Sequence, residues 1–200
     1  MIIWLFYAFP YPFYTLIAGI NGVGKSSFSG SLLAQNNDLG IFIDTAKKVS
    51  DRGGSLEGGK LAVRQIRDCL AKGISFSQET TLSGKQPLQT ILQAYKKGYF
   101  VHLHYIGLDT LDDSLLRIAN RVRRGGHSIP EETVRRRFQK RFYDLKKILP
   151  YCQNAKFYDN NNGFQLVAQW QNGFLILQGE LRPMWILELQ KFLEMDGEPH

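Results

Sequence analysis

Gly19-Ile-Asn-Gly-Val-Gly-Lys-Ser26 is the stretch whose reading decides the fold. It satisfies G-x-x-x-x-G-K-[ST] at every fixed position. The apolar run Tyr14-Thr-Leu-Ile-Ala18 precedes it and a helical pattern from about Gly24 to Gln35 follows, the strand-loop-helix context the motif requires. Gly19, Gly22 and Gly24 let the backbone turn tightly and aim N–H groups at phosphate oxygens, and the positive end of the next helix adds to that field. Lys25 is placed to reach the β- and γ-phosphates, and the Ser26 hydroxyl to hold Mg²⁺. The candidate nucleotide-binding set is Gly19, Asn21, Gly22, Val23, Gly24, Lys25, Ser26 and Ser27, with Ser26 as the metal residue. No Asn-Lys-x-Asp guanine signature is present, which favours ATP.

Working outward, short apolar runs alternate with helical patterns, and no repeat interrupts them. Strands are expected at Ile41-Phe-Ile43, Ile74 to Thr80 and Tyr99 to Ile106. Helices are expected over Leu56 to Lys72, Gln86 to Lys97, Asp109 to Arg123 and Pro130 to Leu149. Such alternation calls for an α/β fold of three layers with a mostly parallel sheet, which with the glycine loop makes a P-loop NTPase. After Asn160-Asn-Asn-Gly163 come Phe164 to Trp170 and Phe174 to Leu177, joined through Asn172-Gly173, a strong local hairpin signal. Pro183 to Met195 reads as a closing helix. The expected organisation is an apolar N-terminal extension (1–13), the P-loop domain (14–160), and a C-terminal hairpin and helix packed on that same domain (161–200).

The 200 residues, 44% of them hydrophobic, suit one globular domain and exclude disorder as the main state. Cys69 and Cys152 have neither a disulfide-framework nor a zinc-ligand spacing, which points to a reducing cytoplasm. The segment Met1 to Phe13 is apolar and aromatic. It falls short of the roughly 20 residues needed to span a bilayer and lacks the basic start of a signal peptide, so no membrane association is expected.

Positive charge is confined. Of 25 Lys and Arg, eleven lie between Arg117 and Lys147, against three acids in the same span, while the chain as a whole carries +7. So local a block reads as an anion site; a nucleic-acid binder spreads its charge along a longer face. In the helix from Pro130, Val134, Phe138, Phe142, Leu145 and Leu149 form one apolar stripe. Arg137 and Arg141 flank it, while Arg136 and Lys140 point outward. For the carboxylate that phosphoryl transfer needs beside the loop, two residues stand at strand C-termini: Asp44 and Glu79. Either can take a proton from an attacking hydroxyl or hold the metal through water. Each can equally serve as a helix-capping acid.

Several separated stretches then point to one family. The glycine loop, Phe76-Ser-Gln-Glu-Thr-Thr-Leu-Ser-Gly84, Gly98-Tyr-Phe-Val-His-Leu103, Arg121-Val-Arg-Arg-Gly-Gly-His-Ser-Ile-Pro-Glu131 with Arg135-Arg-Arg-Phe138, and Tyr158-Asp-Asn160 together resemble the zeta toxin family, in its short-chain branch. The resemblance runs in order from about Tyr14 to Asn160. It implies a P-loop NTPase of nucleotide kinase-like build with a basic helical lid, a small-molecule kinase that moves the ATP γ-phosphate to a hydroxyl of a UDP-activated amino sugar such as UDP-N-acetylglucosamine, with a small helical antitoxin as partner. Carried over by position, Lys25 and Ser26 take the ATP and Mg²⁺ roles. Glu79 and Thr81 contact the acceptor, Arg121 clamps phosphate from the lid, and Tyr158 to Asn160 lie near the adenine end.

Two positions depart from the family pattern. The usual catalytic acid after the second strand falls at Ala46, leaving Asp44 two residues short of it. The second lid arginine falls at about His127, with Arg137 placed to supply that charge from the next helix. The catalytic candidates are therefore Asp44, Glu79, Arg121 and Arg137, and the substrate-binding candidates Glu79, Thr81 and His127. Two other readings remain: an ATP-binding module of weak activity held by an antitoxin, and a basic nucleic-acid-associated NTPase. His102 and His104 share one strand face but lack a third ligand, and read as buried structural histidines.

Overall fold

In the computed structural model, which describes residues 11–43 and 55–195, the apolar run before the glycine loop is strand β1 (Phe13–Ala18). Its last five residues are buried, as befits a central parallel strand covered on both faces. There follow α1 (Lys25–Ala34), β2 (Ile41–Ile43), α2 (Ser55–Lys72), β3 (Phe76–Thr80), α3 (Gln86–Lys96), β4 (Phe100–Gly107), α4 (Leu111–Arg123) and α5 (Glu131–Lys146). A 3₁₀ turn at Leu149–Tyr151 leads to β5 (Asn154–Asp159), β6 (Gln165–Gln171), β7 (Phe174–Leu177) and α6 (Met184–Met195). The seven strands lie in the order β2-β3-β1-β4-β5-β6-β7. The first five are parallel, and β6 and β7 turn back antiparallel.

Side chains alternate across the strands, and this sorts the layers. Ile17 faces one side with Phe28 and Leu32 of α1, joined by Ile106, Tyr158 and Phe164. Tyr14, Leu16 and Ala18 face the other side, where α2 contributes Ala62 and Ile66, α3 Ile91 and Ala94, α5 Phe142 and Leu145, and α6 Trp185 and Leu189. A Cβ on Gly107 would stand 2.4 Å from the Trp185 indole, so only glycine lets α6 lie this close to β4. The C-terminal ends of the parallel strands open on one edge, and the glycine loop lies there, where open α/β sheets bind ligands.

The elements follow the sequence reading with local differences. Phe13, expected in the N-terminal extension, belongs to β1: it pairs with Phe100, and its N–H donates to Ser75 Oγ at 3.1 Å. Residues 1–10 of that extension, and Asp44 with Ala46, lie outside the described residues. Strand β5 was not legible as an element. It is a polar-edged alternation in which Ala155, Phe157 and Asp159 are buried. Helix α5 ends at Lys146, before Pro150, yet Leu149 still joins the core from the 3₁₀ turn. The Asn172-Gly173 turn forms as expected, with φ of 51° and 86°.

Candidate active site

The glycine loop is braced from two sides. At Gly22 (φ 83°) an added Cβ would stand 2.5 Å from the Ser114 carbonyl oxygen of α4, and at Gly24 (φ 94°) 2.6 Å from Asn160 Nδ2. Both positions combine left-handed backbone with close approach, which glycine alone tolerates. Ser114 Oγ donates to the Asn21 carbonyl, and Asn160 Nδ2 donates to the Val23 carbonyl at 2.8 Å. Asn160 is itself held, because its carbonyl accepts from Arg117 Nη2 at 2.6 Å. Behind it, buried Asp159 accepts from Asn161 N–H at 2.9 Å and from Trp185 Nε1 at 2.9 Å. Asp109 accepts from the Trp185 backbone N–H at 3.0 Å. The loop is thereby tied through β5 to the C-terminal helix.

Lys25 donates to the Gly19 and Ile20 carbonyls, both at 2.8 Å. Loss of hydration pushes its ammonium down to about 8; the Glu79 carboxylate opposes that, and Arg137 and Arg121 reinforce it. Glu79, at the C-terminal end of β3 next to β1, receives two hydroxyls: Ser26 Oγ at 2.8 Å and Ser29 Oγ at 2.7 Å. The Ser26 hydroxyl and the Glu79 carboxylate therefore stand as a pair of oxygens beside the phosphate loop. Few protein oxygens with room for water and phosphate is the donor set Mg²⁺ prefers, so the pair fits that ion.

Helix α4 starts at a Thr110 cap, whose Oγ1 accepts from Asp113 N–H at 3.1 Å. Arg117 and Arg121, one turn apart on its face, both line the cleft over the glycine loop. Arg121 Nη2 donates to the His127 carbonyl at 2.8 Å, closing the turn at Gly125-Gly126. From α5, Arg137 Nη1 donates to Asn21 Oδ1 at 2.6 Å, while its Nε is buried without a partner. A guanidinium short of an acceptor beside the loop suits a bound anion. The other flanking arginine, Arg141, turns away: it pairs with Glu188 of α6 at 2.7 Å and stacks on Phe138 and Phe142. Arg136 and Lys140 are exposed.

These groups share a cleft of about 710 Å³. Of the sequence candidates, Asn21, Gly22, Gly24, Lys25, Ser26, Ser27, Glu79, Thr81, Arg121 and Arg137 line it. Gly19 meets it through the carbonyl that holds Lys25, and Val23 is buried beneath. His127 is exposed and offers only its carbonyl, to Arg121. Asp44 lies outside the described residues. Sequence reading missed Ser29, Arg117 and Gln78. Ser29 lies three residues beyond Ser26 and Arg117 four before Arg121, spacings that put each pair on one helix face. A second cavity of about 590 Å³, near Leu149–Gln153 and the β6–β7 turn, carries no comparable chemistry: its Cys152 thiol is pushed up to about 12 by burial. His104 packs on Phe28 and Tyr158 with Nδ1 buried and unpartnered, and burial pushes it down to about 4. Among the described residues no cluster of three His, Cys, Asp or Glu could hold a metal.

Sheet order, glycine loop and the packing of α4–α5 together define a P-loop NTPase fold. In structure the chain is similar to a protein of the PezAT chromosomal toxin-antitoxin system of Streptococcus pneumoniae, with a TM-score of 0.62 and 17% identity over 94% of this chain and 86% of that one. It is also similar to part of a Pnkp1/Rnl/Hen1 RNA repair complex, with a TM-score of 0.54 and 16% identity, covering 68% of this chain and 46% of that one. In sequence it is 34% identical over 127 residues to an uncharacterized protein of Haemophilus influenzae, covering 60% of this chain and 88% of that protein. The chain belongs to the same family as that protein. No family model matches it. No helix among the described residues is long and apolar enough to cross a membrane.

Proposed function

We propose that the protein is an ATP-dependent small-molecule kinase that transfers the γ-phosphate to a hydroxyl of a UDP-activated amino sugar resembling UDP-N-acetylglucosamine. The observation that carries this reading is the convergence of Lys25, Arg117, Arg121 and Arg137 with the Ser26–Glu79 pair in one cleft. In phosphoryl transfer, charge spreads over the γ-phosphoryl oxygens, and preorganised cations supply most of the stabilisation. Backbone N–H groups of the glycine loop and Lys25 bind and orient the triphosphate. Arg121 and Arg137 close on it from the lid, and Arg117 holds the Asn160 loop at the nucleotide's adenine end. Mg²⁺, when bound beside Ser26 and Glu79, neutralises phosphate charge. Glu79, or Asp44, which follows Ile43 in the sequence, accepts the proton of the attacking hydroxyl, and Thr81 orients the acceptor.

A small helical antitoxin that covers the cleft belongs to the same reading, and the likeness to a toxin-antitoxin protein supports it. The test is ATP turnover measured with and without UDP-N-acetylglucosamine, with Lys25→Ala as control. Stimulation by the sugar nucleotide that the control lacks, together with a product heavier by one phosphate, is expected. Turnover indifferent to the sugar would refute the acceptor, and nucleotide binding unchanged in Lys25→Ala would refute the site.

A further inference from the structure

Two other arginines of α5 show what Arg137 lacks. Arg135 pairs with Glu131 at 2.6 Å and Arg141 with Glu188 at 2.7 Å. Arg137, half-buried between them in the sequence, has no carboxylate partner among the described residues. A neutral oxygen holds it instead: Asn21 Oδ1, 2.6 Å from Nη1. Burial and, after it, the adjacent Arg136 both weigh against its charge. Its Nε is buried and unpartnered. Nε and Nη2 lie on the same edge of a guanidinium, an edge that meets two oxygens of one phosphate. Because Asn21 takes Nη1, that edge is left without a partner among the described residues.

Asn21 has no local reason to be an asparagine. Its backbone lies outside the left-handed region, unlike that of Gly22 and Gly24 in the same loop. Turn asparagines commonly bond a backbone N–H two residues on, whereas this side chain reaches across to α5. Its main-chain carbonyl accepts from Ser114 Oγ of α4, and Ser114 is fully buried, so the loop presents the amide from a fixed point. Arginine only donates, which settles that the amide offers its oxygen. An uncharged oxygen orients the guanidinium and leaves its positive charge intact. A carboxylate at this position would hold Arg137 too, but would cancel that charge and repel phosphate.

We infer that Asn21 is a positioning residue: it grips Arg137 by one terminal nitrogen and so reserves the Nε–Nη2 edge as a two-pronged fork for the oxygens of a phosphoryl group above the glycine loop. This rests on the proposed kinase reading for the identity of that group as the γ-phosphoryl in transfer. With Nη1 held, the guanidinium turns about that bond, carrying Nε and Nη2 together toward the loop. The unpaired burial of Nε favours the turn, because an anion relieves it. Charge that develops on the phosphoryl oxygens is then met by donors already in place, and a guanidinium about 1 Å away from that place forfeits most of the effect. Asn21 acts through Arg137 and touches no reacting atom.

The test sets ADP with Mg²⁺ and aluminium fluoride, a mimic of the phosphoryl group in flight, against ADP with Mg²⁺ alone. In the wild type the Arg137 Nε–H signal in nitrogen NMR, identified by its loss in Arg137→Lys, is expected to move with the mimic and to stay in place with ADP. Asn21→Ala is expected to bind the mimic about 10- to 100-fold more weakly, with ADP affinity changed less than about threefold and melting unaltered. In the Arg137→Lys background the same substitution should cost less than about threefold more, because the two residues act as one unit. Asn21→Asp, which keeps the bond and cancels the charge, should lose at least as much as Asn21→Ala. Asn21→Ser, too short to reach Arg137, serves if the alanine variant does not fold. The inference is overturned by an unmoved Nε–H signal, by no gain from aluminium fluoride in the wild type, by wild-type mimic affinity in an Asn21 variant, by equal loss of mimic and ADP, or by losses that multiply in the double variant. Turnover separates the two claims: mimic affinity that depends on Asn21 without sugar-stimulated transfer sinks the proposed kinase and leaves Asn21 standing, and sugar-stimulated transfer indifferent to Asn21 does the reverse.

Discussion

Raising the pH should loosen ATP in a way that identifies Lys25 as the cause. In the free protein its ammonium titrates at about 8 instead of 10.5, because burial strips its water. A triphosphate seated on the loop supplies the missing counter-charge and returns the group toward its ordinary range. The complex then holds a proton that the free protein has begun to lose, so affinity must fall as pH rises above about 8. One unit above the midpoint about a tenth of the free lysine remains charged, and each further unit costs about 1.4 kcal/mol. Between pH 7 and 9.5 the expected loss is roughly 30-fold. Terminal phosphates are fully ionised across the upper part of this window and contribute little slope. The assay is titration with a fluorescent ATP analogue and Mg²⁺ in half-unit steps. Lys25→Arg, whose guanidinium stays charged throughout, should flatten the curve. A wild-type affinity that stays level to pH 9.5, or an arginine variant with the same slope, would refute the reasoning.

Two further outcomes follow from the geometry. Glu79→Gln keeps the shape but removes the charge that receives Ser26 and Ser29, so turnover should fall on the order of 10²-fold and the Mg²⁺ needed for half-maximal rate should rise; an unchanged Mg²⁺ dependence would separate Glu79 from the metal. Gly107→Ala drives a methyl into the Trp185 indole and should cost about 1–3 kcal/mol, read as a melting point lower by about 2–4 °C per kcal/mol; melting at the wild-type temperature would mean that α6 can shift away freely.

Much of the fold was legible because its signals are local. The glycine loop, the periodicity of α5 and the Asn172-Gly173 turn each act over a few residues, and all lie where the sequence put them. Strand β5 escaped because its pairing depends on β4 and β6, and its sequence Asn-Ala-Lys-Phe-Tyr-Asp alternates without a strong apolar run. The site divides likewise. Lys25 and Ser26 come from one contiguous motif, whereas the Glu79–Ser29 contact and the Arg137–Asn21 contact bridge 50 and 116 residues and depend on how the layers stack. Arg141 makes the point from the other direction: its helical spacing equals that of a cleft residue, and only the packing of α6 directs it to Glu188 instead.

The bonds around Trp185 have a practical corollary for anyone shortening or tagging this chain. Asp109 and Asp159 each receive one N–H from that residue, and the Asn161 side chain lies between the two acids. Removing α6 would strip donors from two neighbouring carboxylates and set like charges against each other directly behind the Asn160 clasp. A fragment trimmed to residues 14–160 would therefore retain every residue of the motif and lose the scaffolding that keeps it in shape, so expression boundaries should be drawn beyond Met195.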